Sequence, residues 1–245
     1  MKIISILNQK GGTGKTTIAV NLGRALSLLK KKVLLIDLDP QGNLTYSLGI
    51  KPEKGTMAEV IHGIQALQTI LVKAEGMEIA PCSRELADIE ISLVSKMGRE
   101  QKLKQALKGA DKYDYVFIDC PPSLSILSIN ALTASDEVII PLQMEILSLQ
   151  ALTQILTTIY EVKKVLNKKI KVKGIIPIMY DARRRLSDEI LSEIKKSVKE
   201  KIFNTYIREN VKIAEAPSFA KSVLEYDPSS HGAEDFRKLA REFIR

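Results

Sequence analysis

Residues Asn8–Thr17 read N-Q-K-G-G-T-G-K-T-T. An apolar run typical of a β-strand, Lys2–Leu7, leads into it, and a helical pattern begins at Ile18. A strand, a glycine-rich turn, a Lys-Thr pair and a helix, in that order, are what a phosphate-binding loop requires. The sequence therefore predicts a loop that holds phosphate groups at the start of a helix.

Three residue types in this loop carry the predicted chemistry. Gly11, Gly12 and Gly14 allow backbone conformations that a Cβ would forbid, so that successive N–H groups can point at phosphate oxygens. Lys15 is predicted to reach the β- and γ-phosphates, and the hydroxyl of Thr16 is predicted to bind magnesium.

The loop departs from the usual pattern G-x-x-x-x-G-K-[ST] because Gln9 stands where the first glycine would fall, and Lys10 adds a second cation. The motif K-G-G-T-G-K-T resembles the deviant Walker A loop of the ParA/MinD superfamily, most closely that of the small Soj-type ParA partition ATPases. The resemblance implies ATP and Mg²⁺ as cofactors and Lys10 and Lys15 as catalytic residues. The ATP-binding residues that it implies in the loop are Lys10, Gly11, Gly12, Thr13, Gly14, Lys15, Thr16 and Thr17.

Acidic residues follow two further apolar runs, Val33–Ile36 and Tyr115–Ile118. The carboxyl ends of parallel strands face the crevice where α/β folds bind ligands, and Asp119 fits the Walker B pattern, which predicts that it reaches magnesium. The motif D-L-D-P-Q-G-N, which starts at Asp37, resembles the family's switch I segment. By that resemblance Asp39 positions or activates the attacking water, and the magnesium-site residues are Thr16, Asp37, Asp39 and Asp119.

Two segments of the second half resemble the parts of the family that lie beside the nucleotide base. Asp181 follows a predicted strand and is expected to accept a hydrogen bond from the adenine amine. The segment R-E-N-V around Asn210 resembles the family's P-R-N-V, which places Asn210 beside the base. Arg208 stands where a proline is usual and Glu209 where an arginine is usual, so the base contacts of this segment differ from the family pattern.

Positive charge is concentrated in the last two-fifths of the chain. Residues 151–245 hold 20 Lys and Arg against 13 Asp and Glu, whereas residues 1–150 hold 17 against 16. Charge alone suits a polyanion-binding face and a set of solvated helix faces equally well. Three arginines at a predicted helix start are at the unfavourable end of the helix dipole, which favours an external anion there. The alternative is that Asp181, Asp188 and Glu189 relieve the repulsion. The predicted DNA-binding residues are Arg183, Arg184, Arg185, Lys195, Lys196 and Lys199.

The predicted fold is α/β, a single P-loop NTPase domain over residues 1–245 with a mostly parallel twisted sheet and helices on both faces. The resemblance implies a DNA-partition ATPase. Lys10 would cross to the phosphates of a second subunit, and the ATP-bound homodimer would bind nonspecific double-stranded DNA. Hydrolysis, stimulated by a ParB-type centromere-binding partner, would release it. The expected location is cytoplasmic and nucleoid-associated, with no membrane binding.

Three other functions are weighed against this one. A MinD-like membrane-binding ATPase is expected to need a basic, apolar terminal helix, and none is recognised before Arg245. An iron–sulfur carrier of the nitrogenase iron protein type would need suitably placed cysteines, but Cys82 and Cys120 follow no such pattern. A non-enzymatic ATP-gated adaptor would not need Asp39.

Overall fold

One eight-stranded sheet organises the molecule. The computed structural model describes residues 1–145, 148–181 and 185–245, with side chains for all of these except 185 and 186. The strands are β1 (Lys2–Ile6), β2 (Val33–Asp37), β3 (Val72–Ala74), β4 (Met77–Ala80), β5 (Tyr115–Asp119), β6 (Glu137–Gln143), β7 (Lys171–Tyr180) and β8 (Ile207–Arg208). They lie in the order β3-β4-β2-β5-β1-β6-β7-β8, and every neighbouring pair is parallel except β3 and β4.

Helices and short 3₁₀ turns connect these strands. The α-helices are α1 (Lys15–Leu28), α2 (Asn43–Ser47), α3 (Met57–His62), α4 (Leu86–Leu93), α5 (Lys102–Ala106), α6 (Ile126–Ala134), α7 (Ser148–Val165), α8 (Arg185–Ser197), α9 (Val211–Glu215), α10 (Val223–Tyr226) and α11 (His231–Phe243). The 3₁₀ turns are Leu67–Thr69, Arg99–Gln101 and Ala216–Phe219.

Both faces of the sheet are covered by apolar side chains, because successive residues of a strand point to opposite faces. In β1 the side chain of Ile3 packs into one hydrophobic layer, and those of Ile4 and Ile6 pack into the other. The first layer is shared with α3 to α8, and the second with α1, α2, α10 and α11. A sheet buried on both faces explains why its strands read as continuous apolar runs.

The predicted α/β class, the mostly parallel sheet and the helices on both faces are confirmed. Two local features differ from the sequence reading. The edge strand β3 was not predicted; it pairs with β4 through a turn in which Glu75 and Gly76 both have positive φ, 46° and 73°. Residues 99–108 read as one helix from the sequence, but the structure divides this segment into the 3₁₀ turn and α5, after Gly98 turns the chain with a φ of 66°.

The order of the central strands determines where the functional residues meet. β5 lies between β1 and β2, with Ile6 and Asp37 both in register with Asp119. The loop after β1 and the acids that end β2 and β5 are therefore brought to the same edge of the sheet.

Helix α1 connects this edge to the C-terminal region. Asn21 accepts a hydrogen bond from the backbone N–H of Val223 at 2.7 Å through its side-chain oxygen. Arg24 forms an ion pair with Glu225 and donates to the backbone carbonyl of Glu75 at 2.6 Å. Because Asn21 and Val223 are buried, these contacts fix α10 and the β3–β4 turn to the helix that follows the loop.

Among the described residues, no helix combines the length and the apolar content that crossing a lipid bilayer requires.

The end of α1 gives a test of backbone strain. Lys30 has a φ of 64°, with its N–H bonded to the carbonyl of Ser27 and that of Lys31 bonded to the carbonyl of Leu26. A Cβ is unfavourable in this left-handed position, so we expect Lys30→Gly to raise the free energy of unfolding by about 0.5–1 kcal/mol. Urea denaturation without nucleotide measures the change. Lys31→Gly is the control, since Lys31 has no positive φ, and equal stabilisation by both substitutions would contradict the explanation.

Candidate nucleotide site

The loop between β1 and α1 is fixed by a side chain to which the sequence analysis assigned no role. Asn8 is buried, donates its amide to the carbonyl of Pro141 in β6 at 2.6 Å, and accepts the N–H of Lys10 at 3.0 Å. The Thr13 hydroxyl donates to the carbonyl of Lys10 at 3.0 Å. The loop is therefore shaped in part by hydrogen bonds of its own polar groups. The only signal in the sequence was an asparagine directly after a buried strand.

Two of the three loop glycines adopt backbone conformations of the kind that the sequence predicted. Gly12 and Gly14 have φ of 72° and 68°, values that disfavour any residue with a Cβ. A Cβ built on Gly11 or Gly12 would have no described atom within 4 Å, so these residues border open space. Their backbone can therefore approach a ligand at the start of α1, where an anion is favoured.

Lys15 is the cation inside the loop. Its residue is 7% exposed, and its ammonium group lies 3.3 Å from the carbonyl oxygen of Lys10. Burial lowers the pKa of Lys15, while the nearby Asp119, Cys120 and Asp39 act in the opposite direction. A desolvated ammonium group interacts strongly with a phosphate that replaces its present neutral partner.

Thr16 and Asp119 form the pair that best fits a magnesium ion. The Thr16 hydroxyl donates to one carboxylate oxygen of Asp119 at 2.6 Å, which leaves lone pairs of the hydroxyl oxygen for a cation. The other carboxylate oxygen, Oδ1, is buried and has no hydrogen-bond partner among the described residues. Such an orphaned oxygen is costly unless an ion or water meets it. Burial, and secondly Asp37, raise the pKa of Asp119 well above its ordinary value.

The two acids after β2 have different environments. Asp37 is fully buried and accepts bonds from Thr45 and from the N–H of Asp39, and burial raises its pKa to about 6. Asp39 is 6% exposed, and its Oδ1 accepts the N–H of Gln41 at 2.9 Å. Among the described residues, no three acidic, histidine or cysteine side chains are grouped closely enough to hold a metal by themselves. A magnesium ion here would therefore depend on Thr16 and on phosphate oxygens as well.

Lys10 points away from the loop's interior. Its ammonium group lies 2.6 Å from a carboxylate oxygen of Glu145 and 3.2 Å from the side-chain oxygen of Gln143. These three residues line a cavity of about 410 Å³ between the loop and the start of α7, together with Gln150 and Gln154. The side chains of Lys10 and Glu145 are 56% and 53% exposed, so their ion pair contributes only about 0.2–1 kcal/mol.

A second cavity, of about 320 Å³, lies on the other side of the loop and is lined by Gly14 and Thr17. Asn210 lines it too, while its side-chain oxygen caps α9 by accepting the N–H of Lys212. A cavity of this size beside the phosphate loop fits a nucleotide base. Asp181, which follows β7, is not among the described lining residues, and its contact with adenine stays a prediction.

Arg208, which replaces the family's usual proline, is held by acids of α11. Its guanidinium group donates to both carboxylate oxygens of the buried Asp235, at 2.6 and 2.9 Å, and to Glu234 at 3.2 Å. The hydrogen bond with Asp235 is the main cause that raises the pKa of Arg208. This bidentate pair fixes β8 to α11 beside the second cavity. Glu209 lines the cavity and is exposed.

The structure describes only part of the predicted DNA-binding group. Arg183 and Arg184 lie outside the described residues, and Arg185 begins α8 without a described side chain. Lys195 and Lys196 are exposed in the last turn of α8, and Lys199 is exposed after it. Their contact with DNA stays a prediction.

The buried acids generate a test that needs no activity assay. Asp119→Asn removes a buried charge but keeps an acceptor for Thr16. We therefore expect the nucleotide-free variant to be about 1–2 kcal/mol more stable than the wild type in urea at pH 7.5. It should also lose the stabilisation that Mg²⁺ and ATP together give the wild type. Asp136→Asn is the control, because Asp136 accepts the N–H of Ile3 instead. A destabilised Asp119→Asn protein would contradict this explanation.

The pH dependence should have a definite sign. The folded Asp37 has a pKa of about 6, against 3.8 ordinarily, so on acidification the folded protein takes up a proton before the unfolded chain does. Wild-type stability should therefore rise as the pH falls from 7.5 towards 6. Asp119→Asn should show a smaller rise, since one of the two buried carboxylates is gone. Urea denaturation across this pH range measures both, and a fall in wild-type stability would refute the assignment.

Known proteins match this chain over its whole length. The AAA_31 family model, described as an AAA domain, matches residues 1–172. The sporulation initiation inhibitor protein Soj of Bacillus subtilis is 46% identical over 248 residues, covering 98% of this chain and 97% of that protein. The chromosome partitioning protein ParA of Caulobacter vibrioides is 41% identical, covering 100% of this chain and 94% of that protein.

A solved structure extends the comparison to the fold. The cobyrinic acid a,c-diamide synthase of Mycobacterium smegmatis, with bound ATP analog and magnesium, superposes with a TM-score of 0.90. It is 36% identical, and the match covers 100% of this chain and 94% of that one.

Proposed function

Since this chain belongs to the Soj/ParA family of partition ATPases, we propose that it hydrolyses ATP with Mg²⁺ to switch a homodimer on and off nonspecific DNA. The observation that carries the ATPase part is the pairing of Thr16 with Asp119 beneath a glycine loop that borders open space. Mg²⁺ bound there would neutralise charge on the β- and γ-phosphates.

Residues of the loop and of the neighbouring strand ends have separate roles in binding and hydrolysis. The backbone of Gly11–Gly14 and the ammonium group of Lys15 hold the phosphates, and the cavity lined by Asn210 takes the base. Asp39 orients the attacking water, because its carboxylate lies at the same edge of the sheet and close enough to influence the pKa of Lys15. Asp119 holds the Thr16 hydroxyl in the orientation that a cation needs.

Dimerisation is the second part of the proposal. Lys10 leaves Glu145 and crosses to the phosphates of a second subunit. The attraction of its ammonium group to several phosphate charges exceeds its attraction to one exposed carboxylate. Little opposes this transfer, because the present ion pair is solvated and weak. ATP is then shared between two subunits, and loss of the γ-phosphate loosens the dimer.

DNA binding is the third part. A dimer joins two positively charged C-terminal regions, which raises avidity for a polyanion and steepens its salt dependence. The proposed contacts are Arg183, Arg184, Arg185, Lys195, Lys196 and Lys199. A ParB-type partner bound to a centromere-like site accelerates hydrolysis and so releases the DNA, and the protein is nucleoid-associated while ATP is bound.

Two alternatives have less support. Cys82 and Cys120 are both buried, and burial raises the pKa of each thiol, which disfavours the exposed thiolates that an iron–sulfur cluster between subunits needs. A MinD-like membrane role remains the alternative if no DNA binding is found.

A gel shift on random-sequence duplex DNA tests the proposal with ATP, ADP and no nucleotide. We expect binding with ATP only, and at least a tenfold loss in Lys10→Ala and in the triple variant in which Arg183, Arg184 and Arg185 become alanine. The triple variant should also show a shallower salt dependence, by about one unit of slope for each phosphate that it no longer neutralises. Lys10→Ala should fail to dimerise with ATP in light scattering, whereas the triple variant should dimerise.

Lys108→Ala, which changes an exposed lysine after α5, is the matched control and should bind DNA as the wild type does. ATP-dependent dimers that bind no DNA would refute the DNA part, and binding to anionic liposomes would then favour the membrane alternative. Equal DNA binding with ATP and ADP would refute the switch.

A further inference from the structure

Both oxygens of the Asp37 carboxylate accept hydrogen bonds from its own loop. Oδ2 accepts the backbone N–H of Thr45 at 2.8 Å and the Thr45 hydroxyl at 2.7 Å, and Oδ1 accepts the N–H of Asp39 at 3.3 Å. Asp37 has no exposed surface. In contrast, Asp119 keeps one carboxylate oxygen without a partner among the described residues. The two acids therefore differ in their capacity to meet a cation or its water.

Thr45 extends this contact to another part of the sheet. Its hydroxyl oxygen, while donating to Asp37, accepts the N–H of Cys82 at 2.9 Å. Cys82 follows the carboxyl end of β4, and Thr45 lies in α2, so one buried hydroxyl connects the end of β2, helix α2 and the chain after β4. Replacing this hydroxyl with a methyl group would leave the N–H of Cys82 without its acceptor and would remove one of the two hydrogen bonds to Asp37 Oδ2.

The loop held in this way carries Asp39. Within it, the N–H of Gly42 bonds to the carbonyl of Asp39 at 2.8 Å, and the N–H of Gln41 bonds to its Oδ1 at 2.9 Å. The loop thus forms a compact turn whose two ends are fixed at Asp37 and Thr45. The charge of Asp39, held in this turn, opposes the lowering of the Lys15 pKa by burial.

From these contacts we propose that Asp37 anchors the loop instead of serving the magnesium shell, and that Thr45 is a positioning residue for Asp39. The inference rests on the proposed ATPase function and revises one of its sequence-based assignments. Thr45 touches neither nucleotide nor water in the reaction. It acts by holding the Asp39 carboxylate in one position, since a displacement of about 1 Å of a catalytic group can cost about a hundredfold in rate.

The kinetic test uses Thr45→Val, which keeps the shape of the side chain and removes the hydroxyl. We expect kcat for ATP hydrolysis to fall about 10–100-fold, with the dissociation constant for ATP in Mg²⁺ changed less than about threefold. Thr45→Ser, which restores the hydroxyl, should recover most of kcat. Thr133→Val is the matched control, because Thr133 is a buried threonine whose hydroxyl donates within α6, to the carbonyl of Ile129.

Magnesium titration separates the anchor from a metal-shell role. If Asp37 anchors the loop, Asp37→Asn and Thr45→Val should lower kcat alike and leave the Mg²⁺ concentration for half-maximal rate unchanged. The double variant should then be no slower than the slower single variant, since both changes break the same contact. A several-fold higher Mg²⁺ requirement in Asp37→Asn alone would overturn the proposal.

Amide hydrogen exchange in the nucleotide-free protein gives a readout that does not depend on activity. In the wild type the N–H groups of Thr45 and Cys82 should be protected. Thr45→Val should speed their exchange, and that of residues 39–42, at least tenfold while β1 and β5 keep their protection. Unchanged exchange, or loss of protection throughout the sheet, would overturn the local anchoring role.

The experiments distinguish a failure of the proposed ATPase function from a failure of the positioning role of Thr45. A wild-type protein without ATP hydrolysis would refute the proposed function, while the exchange experiment would still decide whether Thr45 holds the loop. A hydrolysing wild type whose rate is unaffected by Thr45→Val would refute the positioning role alone.

Discussion

The structure depends on burying opposite charges together at one edge of an apolar sheet. Lys15, Asp37 and Asp119 are removed from water where parallel strands end, at positions where an isolated charge would be strongly unfavourable. Each is tolerated because the others, or polar groups of adjacent loops, lie close to it. The pKa values of the two acids are raised and that of Lys15 is lowered, because neighbouring charges and hydrogen bonds offset only part of the cost of burying these charged groups. Triphosphate and a divalent cation supply the missing charges, so ligand binding and stability are coupled through Lys15 and Asp119.

The sequence predicted the parts of the molecule that depend on local pattern. Residue order alone indicates the phosphate loop, the apolar strands and the acids after β2 and β5. The register of the parallel strands then brings Asp37 level with Asp119. The roles of Asn8 and Thr45 could not be predicted in this way. Their partners, Pro141 and Cys82, are distant in sequence, and ordinary polar side chains give no local signal of such contacts. The edge strand β3 was missed because three residues give no periodicity to read.

The departure from the family pattern at Arg208 has a structural explanation. An arginine in place of a proline adds a charge and a backbone donor beside the base cavity, and Asp235 receives both: its Oδ2 accepts the N–H of Arg208 at 3.1 Å as well as the guanidinium group. The substitution therefore replaces the rigidity of a proline ring with a buried, bidentate ion pair. Nothing in the structure explains why Glu209 stands where an arginine is usual.

The covering of one sheet face by α11 has a consequence for the boundaries of the protein. The family model stops at residue 172, but Phe236, Leu239 and Phe243 of α11 belong to the same apolar layer as the inner side of α1. A recombinant fragment that ends at that boundary would expose this apolar layer to solvent, and exposed apolar surface of that kind promotes aggregation. The charge of the C-terminal surface can therefore vary, but loss of that segment would expose α1, the helix that follows the phosphate loop.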